Sequence, residues 1–363
     1  MKRGIGLLLV LSFFCAALPG ALAARPDARP REGFEYVLQE DGSACLTRYA
    51  GTDRALSIPG EIDGYSVRAL GEDVFPKGLA ITSILIPASI QEIGEGAFRF
   101  LDKLVAIGVI SANPVYTSTQ GILFDKKQKL LHTYPRGRGE VRYGIPTGIE
   151  AIAKNAFYQC QYLQGVFVPS SVMAIGEGAF YGCKKMTRIQ LSEGIETIGA
   201  KAFAGISRLM SLQIPKSVSR IGPGAFLRCE SLEELWVDED NPTYIAFNGA
   251  LVEKDAKLLH TFLHKKAGPV VRIPGGIKGI YDYAFSDCYV MQDVTVPDSV
   301  ESIGEEAFAR CYNLSSALLP GGDLTIGPGA FLNCARLNMK VIKGSPAHAY
   351  AAENGIPFAL EGE

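Results

Sequence analysis

The stretch IGEGAFYGC, residues 175–183, decides the fold. Taken alone, its glycine spacing resembles a loop built to hold a phosphate. The rest of the chain rejects that reading. IGEGAF also stands at residues 93–98, IGAKAF at 198–203, IGPGAF at 221–226 and 326–331, and IGEEAF at 303–308. Neighbouring slots accept Ala200, Pro223 or Glu306, which a phosphate cradle could not tolerate, and no GK[ST] follows. What recurs is a building unit.

The unit closes on a phenylalanine at Phe75, Phe98, Phe157, Phe180, Phe203, Phe226, Phe285, Phe308 and Phe331, with a constant spacing of 23 except for two steps of 59. Counting from the third residue after the Phe, apolar side chains fall at offsets 3, 6 and 8, as in Leu163, Val166 and Val168, or Met186, Ile189 and Leu191. Offsets 6 and 8 share one face of a strand, and a Pro such as Pro169 or Pro215 ends it. A second apolar pair, Val172 and Ile175, and then Ala-Phe complete the unit. A lone unit leaves its apolar side uncovered, whereas stacked copies cover one another, which is the logic of a solenoid.

The two long steps each carry a 36-residue insert, and the inserts are copies. Asn113-Pro114, Tyr116, Gly121, Leu123 and Lys126 recur, in the same order and at the same spacing, as Asn241-Pro242, Tyr244, Gly249, Leu251 and Lys254. Each insert, at about 111–143 and 239–271, reads as a β-hairpin. The hairpins are expected to project from one edge of the stack, so that deleting either leaves a folded protein.

The pattern LxxhxhPxxhxxIGxxAFxxC, with h apolar, resembles the BspA-like, or treponemal-type, leucine-rich repeats. The resemblance covers about residues 34–358. It implies a leucine-rich-repeat solenoid of stacked 23-residue repeats with a parallel concave β-sheet and the two β-hairpin inserts. Asp323 departs from the pattern, with Leu324 taking the apolar slot. The domain reading is a signal peptide at 1–23, a polar tether at 24–33, the solenoid at 34–343, and a C-terminal cap of a short helix and strand at 344–363.

The export signal rests on Lys2 and Arg3 ahead of an apolar run, with small residues at Ala21 and Ala23 for cleavage. The run is short of the roughly 20 apolar residues of a spanning helix and is broken by Pro19 and Gly20, so no integral membrane insertion of the mature chain is expected. Phe14 ahead of Cys15 is too large for a lipoprotein signal. Of 363 residues, 40 are Gly and 20 Pro, which favours frequent turns over long helices. Without Lys2 and Arg3, the 36 basic residues become 34 against 38 acidic ones, with no basic run, so nucleic acid is not an implied partner.

Residues that suggest chemistry are absorbed by the repeat. His132 and His260 occupy equivalent insert positions and His264 matches Arg136, so the sequence implies no metal site and no cofactor. Cys160, Cys183, Cys229, Cys288, Cys311 and Cys334 share one slot, three residues after the Phe, where Leu101 and Ile206 also stand. Buried free thiols are expected. Disulfides between stacked cysteines are the alternative, because turns about 4.8 Å apart bring Cα atoms within bridging range.

Function is therefore sought on the outward offsets 4, 5 and 7. Trp236, the single tryptophan, Phe167, Arg188, Gln190, Gln213 and Glu234 form the candidate binding set. Packing of Trp236 beneath the second hairpin is the competing reading. The resemblance implies an exported, non-catalytic binding protein, a bacterial surface or secreted adhesin. Its partners would be protein or glycan ligands such as host extracellular matrix or cell-surface proteins. Secretion, surface attachment and the periplasm stay open. The alternatives are an architectural envelope or matrix component, and an exported enzyme, which would need a pocket of converging ionisable groups that the sequence does not display.

Overall fold

The computed structural model describes residues 33–127 and 129–361. The expected signal peptide, and the tether before Gly33, lie outside the described residues. The chain folds as a solenoid in which equivalent residues of successive turns stack. Each unit lays down two strands where one was expected. The longer, such as Gly165–Val168 or Arg188–Leu191, pairs in parallel with the next turn, Val166 opposite Ile189. The second is only two residues long, as in Ala174–Ile175 and Thr197–Ile198, and forms its own parallel ladder. Offsets 6 and 8 of the longer strand point inward, and Val166 and Val168 are buried. Leu324 is buried in the slot that Asp323 vacates.

The first glycine of IGEGAF is required by stacking rather than by a bend. A Cβ on Gly176 would lie 2.6 Å from Lys154 N and 2.7 Å from the Ala153 carbonyl carbon, backbone atoms of the previous turn that cannot move aside. Inside each turn the phenylalanine rings then stack face to face. Phe157 and Phe180 lie 4.7 Å apart, Phe180 and Phe203 5.7 Å, Phe285 and Phe308 4.9 Å, with interplanar angles of 16°, 14° and 8°.

The expectation of projecting hairpins is corrected. Each insert is a three-stranded antiparallel meander, Tyr116–Thr119, Ile122–Asp125 and Leu130–Thr133 in the first, Tyr244–Phe247, Ala250–Glu253 and Leu258–Phe262 in the second. Its last strand joins the short-strand ladder in parallel, Leu131 opposite Ile152 and Leu259 opposite Ile280. The meander therefore takes the place of a turn, and its middle strand forms a partition across the core. Leu123 packs with the buried residues that precede it, whereas Ile122 and Phe124 pack with those that follow. In the second insert Leu251 faces back, and Ala250 and Val252 face forward. Both faces of this strand are apolar because both are buried.

An asparagine seats each meander. Asn241 Nδ2 donates to Pro215 O and Val218 O, both at 2.9 Å, while its Oδ1 accepts from Thr243 N at 2.9 Å and Tyr244 N at 2.7 Å. Asn113 makes the same four bonds to Pro87, Ile90, Val115 and Tyr116. Across the second insert, buried Asp287 accepts from Arg228 Nε at 3.0 Å, Arg310 Nε at 3.2 Å and the Tyr289 hydroxyl at 2.9 Å. Burial works to raise the Asp287 carboxyl, but the bonds from Arg228 and Tyr289 and the two guanidinium charges outweigh it and hold the group below its ordinary range. A helix, Pro346–Glu353, capped by Ser345, and a strand, Phe358–Leu360, close the stack.

Asn241→Ala strands the Val218 carbonyl and two amides in the interior, while Pro215 O keeps its bond from Val218 N. A loss of about 3 kcal/mol is expected in denaturant unfolding, since each stranded buried group costs about 1–3 kcal/mol and partial relaxation recovers some of it. A loss below about 1 kcal/mol would mean that the meander is seated by its apolar faces alone.

Candidate functional site

Alternation along the longer strand fixes what faces outward. The register places Phe167 beside Gln190 and Gln213 beside Trp236, so offset 7 runs Phe167, Gln190, Gln213, Trp236 across four strands. Arg188, Ser211 and Glu234 occupy the same strands two residues earlier. All six candidate binding residues are exposed. Trp236 is 53% exposed, so the second meander does not bury it. Met210, at offset 4 of the strand between Gln190 and Trp236, is 60% exposed and belongs to the same surface, although it lies outside the candidate set read from the sequence. The row is not one continuous ladder. Arg188–Leu191 ends a three-stranded sheet, Ser211–Ile214 begins a separate two-stranded one, and the short-strand ladder runs unbroken behind them.

The histidines serve the meanders. The last short strand before the second insert, Arg220–Ile221, has no next short strand to pair with among the described residues. Side chains replace it: Ile221 N donates to the Tyr244 hydroxyl at 2.9 Å, and His260 Nε2 donates to Ile221 O at 2.9 Å. This fixes the tautomer, with Nδ1 free to accept from the Thr261 hydroxyl at 3.1 Å. Burial lowers the His260 pKa to about 4. His132, edge-on to Tyr116, is likewise lowered by burial. Among the described residues no group of His, Cys, Asp and Glu is arranged to hold a metal ion.

The repeat cysteines are free thiols. Sγ of Cys183, Cys229, Cys311 and Cys334 donates to the carbonyl of the phenylalanine one turn back, at 3.0–3.2 Å, and Cys160 reaches Tyr134 O at 3.9 Å. The slot thus offers a weak acceptor as well as apolar volume. Burial pushes Cys229 up to about 12 and Cys288 up to about 11. Cys334, at the last repeat, is only half-buried.

A family model described as a BspA type leucine rich repeat region matches in six copies over residues 63–127, 142–248 and 260–348. Among solved structures, the chain is similar to a leucine rich cell surface protein from Faecalibacterium prausnitzii A2-165, at 25% identity over 94% of this chain and 96% of that one, with a TM-score of 0.56. It also resembles a leucine-rich repeat protein from Eubacterium ventriosum ATCC 27560, at 20% identity over 86% and 71% with a TM-score of 0.51. The pneumococcal vaccine antigen PcpA matches at 20% over 85% and 79%, with a TM-score of 0.50. The last two show the fold alone. No curated protein matches. Among the described residues no helix is long and apolar enough to cross a membrane.

Two predictions come from the buried polar slots. Native protein treated with a thiol reagent should react first at Cys334, with Cys160, Cys183, Cys229, Cys288 and Cys311 silent until denaturant is added; early labelling of Cys183 would contradict the packing. The second concerns pH. Because His260 is held at about 4 when folded against about 6.5 when unfolded, the unfolded chain binds the extra proton, so stability is complete above pH 6.5 and falls as pH drops toward 4. The loss from this group approaches about 3 kcal/mol at pH 4. His260→Gln, which keeps a donor for Ile221 O, should start less stable at pH 7 and lose less on acidification. Parallel pH profiles for the two proteins would refute the role.

Proposed function

The chain belongs to the BspA-type leucine-rich repeat family, and on that premise we propose that it is an exported, non-catalytic binding protein of a bacterial surface. It holds a protein or glycan partner on the outward face of its longer strands. The observation that carries this reading is the row Phe167, Gln190, Gln213, Trp236, with Met210 beside it: large apolar side chains left in water on a backbone held rigid by stacking. Such anchors, flanked by amides and by Arg188 and Glu234, are the composition of interface hot spots. The cell surface protein from F. prausnitzii supports the location, and the recurrent absorption of His and Cys into packing supports a non-catalytic role.

Mature protein should capture a partner from extracellular matrix proteins or cell-surface extracts. Trp236→Ala should weaken that capture roughly 30-fold, the size of a hot-spot loss, with the unfolding midpoint unchanged. A large stability loss with unaltered capture would assign Trp236 to packing. Ordered self-assembly with no captured partner would favour the architectural alternative.

A further inference from the structure

The two halves of the chain repeat one another, Asn113 matching Asn241, so each position beside the first meander has a counterpart beside the second. The seam where the longer-strand face meets the meander differs between them. In the first copy the seam is sealed. The strand Ala106–Val109 has neighbour Ser83–Ile86 on one side. Toward the meander Ile107 N donates to Gly121 O at 2.9 Å and Val109 N to the Ser118 hydroxyl at 3.2 Å. Arg138 fastens the joint, donating to Val105 O at 3.3 Å and to Gln120 O, and is itself held by Glu140.

In the second copy each of the side-chain fasteners is replaced. Ser118 corresponds to Ala246, which has no acceptor, Arg138 to Lys266 and Glu140 to Gly268. The Gly249 carbonyl, counterpart of Gly121, accepts from Leu263 N, and among the described residues neither bond from the first seam is reproduced by Leu235 N or Val237 N. Among the described residues Glu234–Val237 pairs only with Ser211–Ile214 and ends its sheet there. The flanking residues differ as well. Where the first seam reads VAIGVISA, residues 105–112, the second reads EELWVDED, residues 233–240. Trp236 replaces Gly108. On the meander's edge strand Ile245 and Phe247, both exposed, replace Thr117 and Thr119. None of Glu233, Glu234, Asp238, Glu239 and Asp240 appears in an ion pair among the described residues.

We infer that the unsealed edge of Glu234–Val237 is a docking site for an extended, basic and apolar segment of a partner protein, which adds to it as a strand. The proposal rests on the binding role given above and narrows its partner class. Leu235 and Val237 supply main-chain donors, and a main chain is the ligand that matches a row of such groups at strand spacing. Trp236 gives an apolar contact for alternate side chains of the added strand. The acidic run selects positive charge, and it also opposes the other occupant of open edges, a second copy of the same chain, whose edge would carry the same acidic run.

The test uses mature full-length protein and an acetylated, amidated peptide of alternating Lys and Val, with a control of the same sequence N-methylated along one edge. Without peptide, the Leu235 and Val237 amides should exchange with deuterium roughly 30-fold faster than their counterparts Ile107 and Val109. The plain peptide should bind and slow both amides, the N-methylated peptide should not, and Ala246→Ser/Lys266→Arg/Gly268→Glu, which restores the side-chain fasteners of the first seam and leaves Trp236 in place, should abolish binding. Slow exchange of Leu235 and Val237 in the free protein, no binding, or equal binding of both peptides would each overturn the inference. So would self-association that protects the same amides. If Trp236→Ala weakens capture of surface partners while the resealed variant captures them normally, the broader binding role stands and the edge inference falls.

Discussion

Within each run of turns that the meanders mark off, one aromatic ring lies on the ring of the turn before, and the spacing of that column is the constraint the rest obeys. Parallel strands lie about 4.8 Å apart. The stacked rings, 4.7–5.8 Å apart, match this closely enough that the hydrogen-bonded ladders and the aromatic column are satisfied together. Such pairs are worth about 0.5–1.5 kcal/mol each beyond the area they bury. The ends of the column are closed edge-on, by Tyr49 against Phe75 and by Tyr350 against Phe331. A segment that joins the stack must therefore bring its own ring. The meanders do so with Tyr134, stacked on Phe157, and Phe262, stacked on Phe285.

This explains why the units were easy to read and the placement of the inserts was not. Nine phenylalanines on one period, with apolar residues at fixed offsets, leave no other way to bury the chain. The hairpin pattern of each insert was also legible, but alternation alone does not distinguish a hairpin in solvent from one crossing a core. Two signals did distinguish them. Tyr134 and Phe262 stand one repeat period before Phe157 and Phe285, in the ring slot of a turn. The units that follow the inserts also lack the stacking glycine, having Ala153 and Tyr281 in its place, because the turn beneath them is a meander and leaves room. Tyr281 uses that room to pack on His260 at 4.7 Å. The second ladder was missed because a two-residue strand has no periodicity to detect.

The candidate surface was legible only as far as alternation reaches. That offsets 4, 5 and 7 point away from the core is a property of any strand with 6 and 8 buried. How much of Trp236 remains in water depends on where the meander comes to rest, which in turn depends on bonds between residues far apart in sequence. The cysteine slot shows the same limit: interchange with Leu101 and Ile206 predicts an apolar cavity, but the carbonyl that receives each thiol belongs to a residue 26 positions earlier.

The internal duplication separates residues by what the stack demands of them. Asn113 and Asn241, Tyr116 and Tyr244, and His132 and His260 keep their identity because each completes backbone bonds that the interrupted stack leaves open, and a stranded buried group costs too much to permit change. Positions outside the column carry no such load, so Gly108 and Trp236, or Ser118 and Ala246, can differ without harm to the turns above and below. In a repeat protein whose turns contact only their neighbours, the cost of such a change stays local. The stack restricts chemistry in its interior and releases it along the outward rows and seams, which is why EELWVDED and VAIGVISA, which keep only Val237 and Val109 in common, lie there.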